Sequence, residues 1–77
     1  MAKKKPVFLV KVRHRDSAEW LELGTFPTHD DAVRHLNKVK FVAEGYNKKA
    51  FWRDESTMWV LEPNSDNVES IFLIKKL

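Results

Sequence analysis

The residues of this chain that could be drawn into covalent or metal chemistry are three histidines, four serines and the adjacent carboxylates Asp54 and Glu55. His29 and His35 are six residues apart, about 120° around a helix, so they cannot share one metal as an i, i+4 pair does. His35 follows Asp31 by four and reads as an ordinary helix-surface pair. Ser17, Ser56, Ser65 and Ser70 fall in turn-like or ambiguous stretches, with none of the oriented partners a nucleophilic serine needs. Asp54 and Glu55 read as a hairpin turn. Gly24 and Gly45 are too few and too far apart for a phosphate-cradling loop, and cysteine is absent. The chain is therefore read as non-enzymatic, with no metal and no cofactor.

What remains is binding chemistry, on two surfaces. Arg34, Lys38 and Phe41 are predicted to share the outer face of a helix. Arginine and aromatic side chains dominate the energetics of protein interfaces, so this face is a candidate protein-binding site. Trp20 is the corresponding anchor on a sheet face left without a helix. The alternative site is basic and aromatic: Lys11, Arg13, Arg15, Lys49, Trp52 and Arg53, with Phe51 interleaved, would give stacking platforms among phosphate-binding cations. Asp16, Glu19, Glu22, Asp54 and Glu55 interrupt that patch, and no ribonucleoprotein aromatic motif, GxxG loop or Cys-His spacing accompanies it.

The elements that must hold these residues follow from the hydrophobic pattern. Between Thr25 and Tyr46 runs the stretch around which the chain is organised. Thr28 is placed to cap a helix, Asp30 and Asp31 suit its positive end, and Gly45 is placed to close it. Ala32, Leu36, Val39 and Ala43 recur at spacings of four, three and four, a stripe that predicts the buried face. Phe41 lies nearly opposite that stripe; only a helix ending early, near Lys40, would turn it inward. Before the helix, VFLVKVRHR alternates as a strand and EWLELGTF supplies a second, with Leu21 and Leu23 facing away from Trp20 and Glu22. After it, Tyr46 to Arg53 and Thr57 to Glu62 read as a hairpin turning at Asp54-Glu55-Ser56. Pro63 to Asn67 is a break. VESIFLIKKL suits a buried strand, with a short capped helix as the competing assignment.

The fold class expected is α+β: an antiparallel sheet of four to five strands with one amphipathic helix across one face, in the order β-β-α-β-β. Seventy-seven residues make one domain, 6–77, preceded by a disordered basic tail, 1–5. With 43% hydrophobic residues and three tryptophans the composition is that of a folded domain, and its net charge of +3 is mild. No leader and no membrane-length apolar run is seen, so the expectation is a cytoplasmic protein without membrane contact. A single helix covers one sheet face. The other, carrying Val7, Leu9, Trp20 and either Phe51 with Arg53 or Trp52 with Ala50, must be covered by the C-terminal segment, paired in a homodimer or used for binding.

The order strand, strand, Phe26-Pro27-Thr28-His29-Asp30-Asp31-Ala32 helix, Gly45-Tyr46 strand resembles the small ββαβ proteins that phages make to bind and disable host machinery, short RNA-polymerase inhibitors among them. The resemblance covers Pro6 to about Arg53 and implies a small inhibitor or modulator with a protein partner; it does not transfer site residues. The Gly24-Thr25-Phe26 to Tyr46 pattern also resembles the first half of a peptidoglycan-binding SPOR domain, whose second strand-helix half is not evident here. The first expectation is thus a protein-binding module, and the alternative a nucleic-acid-binding domain.

Overall fold

Strand β1 (Phe8–His14) keeps the alternation of its sequence, with Val10 and Val12 buried on the side where Phe8 also packs. In the computed structural model, which describes residues 7–77, it pairs antiparallel with β2 (Leu21–Phe26) through the hairpin expected there. The basic tail expected at 1–5 lies outside the described residues.

The register of this pair slips between Val10 and Lys11. Val10 faces Gly24 and Lys11 faces Glu22, so Leu23 is an extra residue in β2. The bulge holds Gly24 at φ 147°, a conformation L side chains rarely adopt. Leu21 and Leu23, on this edge strand, are half-exposed.

Helix α1 (His29–Gly45) begins where the sequence places it. The Thr28 hydroxyl accepts a hydrogen bond from the Asp31 amide at 3.1 Å, and Asp30 and Asp31 occupy the first turn. Its other end differs from expectation. Gly45 is still helical, and the left-handed residue is Asn47, at φ 64°. The Lys48 amide donates to the Ala43 carbonyl and the Asn47 amide to the Glu44 carbonyl, the paired bonds of a Schellman motif. Asparagine tolerates the left-handed region, so the turn falls two residues later than the glycine suggested.

Strands β3 (Lys49–Trp52) and β4 (Thr57–Leu61) form the second hairpin, turning through residues 53–56. The ambiguous C-terminus is a strand, β5 (Val68–Lys76). It pairs with β1 on one side and β4 on the other, giving a five-stranded antiparallel sheet of order β2-β1-β5-β4-β3. The fold is α+β. Central placement explains the unbroken apolar run: Phe72 and Ile74 face the helix while Ile71 and Leu73 face away. It also corrects one expectation, because a segment hydrogen-bonded inside the sheet cannot fold back over its outer face.

The core lies between the helix and one face of the sheet. Ala32, Leu36 and Ala43 meet Val10, Ala50, Met58, Val60 and Ile74, with Leu36, Met58 and Val10 fully buried. Val39 closes the predicted stripe as a half-buried residue at the margin of this cluster.

Candidate functional site

The helix side carries the first candidate surface. Phe41 is 77% exposed, Val42 57% and Tyr46 70%, all in the last turns of α1 or just after it. The helix does not end near Lys40, so the outward placement expected of Phe41 holds. Beside Val42 and Tyr46 an open cleft of about 470 Å³ separates the helix from the sheet. Its helical wall is two rows at four-residue spacing, His35-Val39-Ala43 and Lys38-Val42-Tyr46. Val60 and Phe72 line the sheet side. His14 adds a polar edge, its Nδ1 2.8 Å from the Oγ of the buried Ser70. At about 100° per residue, Lys38 falls between Phe41 and Val42, so the Arg34-Lys38-Phe41 face is continuous with the cleft.

Charge around this surface is one-sided. Glu44 pairs with Lys40 at 3.2 Å, and Glu69 with Lys48 at 3.0 Å. Among the described residues Lys38 and Arg34 have no carboxylate within ion-pair distance, and both are exposed.

The outer face of the sheet carries the second. Register places Leu9, Lys11 and Arg13 of β1 beside Lys75, Leu73 and Ile71 of β5, then Thr57 and Trp59 of β4 and Lys49 and Phe51 of β3. Trp20 lies at its margin, with Lys11 Nζ 5.1 Å and Arg13 Cζ 5.9 Å from its ring centroid. At the opposite edge the Arg53 guanidinium carbon sits 4.5 Å from the Trp59 centroid, and Phe51 packs against Trp59 at 6.3 Å. Among the described residues the one helix lies on the far side of the sheet.

The residues expected to form a basic aromatic site are thus partly separated. Lys11, Arg13, Lys49 and Arg53 share the outer face. Trp52 does not: it faces the helix with Ala50, and its Nε1 donates to Asn37 Oδ1 at 3.0 Å. The outward tryptophan of this hairpin is Trp59, which the sequence reading missed although Thr57 and Trp59 alternate with the buried Met58 and Val60. Arg15 also drops out, its guanidinium bonded to Glu62 and near Asp16. Two of the interrupting acids leave as well, since Asp54 and Glu55 line a hollow with His29, Val33 and Trp52 on the helix side. Trp20 stands on the sheet face and is not brought together with Arg34, Lys38 and Phe41.

The histidines are engaged singly. His29 Nε2 lies 3.2 Å from Ser56 Oγ and the ring meets Phe8 edge-on; His35 packs on Phe26. Among the described residues no three His, Cys, Asp or Glu side chains gather as a metal site, and no helix is long and apolar enough to cross a membrane. No family model matches the chain, and neither does any curated protein or solved structure.

Proposed function

We propose that this chain is a non-enzymatic protein-binding module whose helix side receives an acidic partner segment bearing one large apolar anchor. The observation that carries this reading is the exposure of Val42 and Tyr46 on the wall of the apolar cleft, with Phe41 exposed on the adjoining outer face of the helix. Exposed large apolar side chains scattered singly are ordinary, but two on the wall of a concave apolar site, with a third on the adjoining helix face, are the composition of an interface core. The cleft accepts the anchor, and Lys38 and Arg34 select for neighbouring carboxylates. Control of a host macromolecular assembly, the role implied by the phage-protein resemblance, is one use of such a surface.

Selection from a displayed random-peptide library tests this directly. Binders should carry Asp or Glu around a Leu, Phe or Trp, and Phe41→Glu or Val42→Glu should weaken them about thirtyfold or more, the scale of an interface hot spot. Both sites are exposed, so circular dichroism should show an unchanged fold. Binders indifferent to both substitutions, or no binders at all, would sink the reading.

A further inference from the structure

We infer that the outer sheet face is a second binding site, for single-stranded nucleic acid, independent of the surface assigned to a protein partner. Five cations, Lys11, Arg13, Lys49, Arg53 and Lys75, sit on that face by strand register or, for Arg53, by its stack on Trp59. Of the two acidic residues in the strands, Glu69 is held by Lys48, and only Glu22, opposite Lys11, offsets the five. None of the five cations lies within ion-pair distance of a carboxylate among the described residues. Three of the five rest near aromatic rings, Lys11 and Arg13 on Trp20 and Arg53 on Trp59. Such contacts are weak at an exposed site and release the cation readily when a phosphate offers a stronger one.

The aromatic residues give the face its preference for single strands. Trp59 and Phe51, side by side near the β3 edge, and Trp20 at the opposite margin are platforms on which unpaired bases stack, whereas a duplex keeps its bases out of reach. Phosphates track the cations between them. Base-edge readout is absent from this picture, so binding should depend little on sequence and strongly on salt.

Fluorescence anisotropy of labelled twelve-nucleotide oligo(dT), oligo(U) and a twelve-base-pair duplex, each at about 50 and 200 mM salt, supplies the test. If all five cations meet phosphates, single-strand affinity should fall about a hundredfold between those salts. Replacing Lys11, Arg13 and Arg53 with alanine should leave only about a sevenfold fall, since two contacts remain. Trp59→Leu should weaken the wild-type affinity about fivefold or more without changing the salt slope. Phe41→Glu should change neither quantity, which keeps this test separate from the protein-binding one. Absence of binding at the lower salt overturns the inference, as does an unchanged slope in the triple variant. Duplex bound as tightly as the single strands removes the stacking basis and overturns it too. No oligonucleotide binding together with a solution dimer that Ile71→Lys splits would assign the face to a second copy of the chain.

Discussion

Two tryptophans of one hairpin show how differently the two sides of this sheet are built. Trp52 and Trp59 lie on neighbouring paired strands, one position out of phase, so they face opposite ways. Trp52 is packed against the helix-side core and its indole N–H is satisfied by Asn37. Trp59 has no helix over it; its ring is covered from the edge by the Arg53 guanidinium. The helix side excludes water with apolar side chains, and the outer side shields its apolar surface with the stems and heads of cations. The first arrangement is fixed by close packing, whereas the second rests on cation–aromatic contacts that are individually weak.

The largest effect expected from this contrast is on stability. Leu36 is fully buried at the centre of the helix-side core, so Leu36→Ala should cost about 2 to 5 kcal/mol. That is a large share of the roughly 4 to 12 kcal/mol typical of a domain this size. Leu73 faces the outer side half-buried, and Leu73→Ala should cost about 1 kcal/mol, because no enclosed cavity is left behind. Urea unfolding of both variants measures the difference. Equal losses would mean that the outer face is packed as tightly as the inner one and is covered in solution.

A smaller separation is expected between the tryptophans. Trp52→Phe removes the hydrogen bond to Asn37 along with part of a packed ring, for a loss of about 1 to 2 kcal/mol. Trp59→Phe keeps an aromatic face for Arg53 and should cost about 0.5 kcal/mol or less. The same contrast should appear in hydrogen exchange, with the Trp52 indole proton the slower of the two. A Trp59 proton that exchanges as slowly would show a partner on the outer face that the monomer does not supply.

Legibility in the sequence followed the range of the forces involved. Helix α1 was readable because Thr28, Asp30 and Asp31 act on their own first turn, and the buried stripe repeats within the same segment. Its C-terminus was misplaced because both Gly45 and Asn47 suit a left-handed turn, and the choice between them rests on backbone bonds to Ala43 and Glu44. The C-terminal strand was ambiguous for a physical reason, since only a neighbour on each side makes an unbroken apolar run strand-like. The face of Trp52 was left open between two registers, and grouping it with Arg53 mixed them; a hairpin's register moves every side chain together, and a one-residue slip inverts them all. The cleft beside Val42 and Tyr46 was not readable at all. It depends on how the helix lies across strands that are distant in sequence.

The smallest expected effect separates two roles for one side chain. Arg53 either shields Trp59 as part of the fold or waits on it for a ligand, and stability distinguishes these. An exposed cation–π contact contributes only about 0.5 to 1 kcal/mol, and Arg53 is exposed. Arg53→Ala should therefore shift the urea midpoint barely, by an amount near the lower figure. Arg53→Lys should shift it less still, because the cation is kept while the planar stack is lost. A loss well above 1 kcal/mol for the alanine variant would make the guanidinium a structural cover. Near-neutral stability with a reduced salt slope toward single strands would place it among the groups that meet phosphate, because a residue needed only for the fold cannot change the number of counterions released.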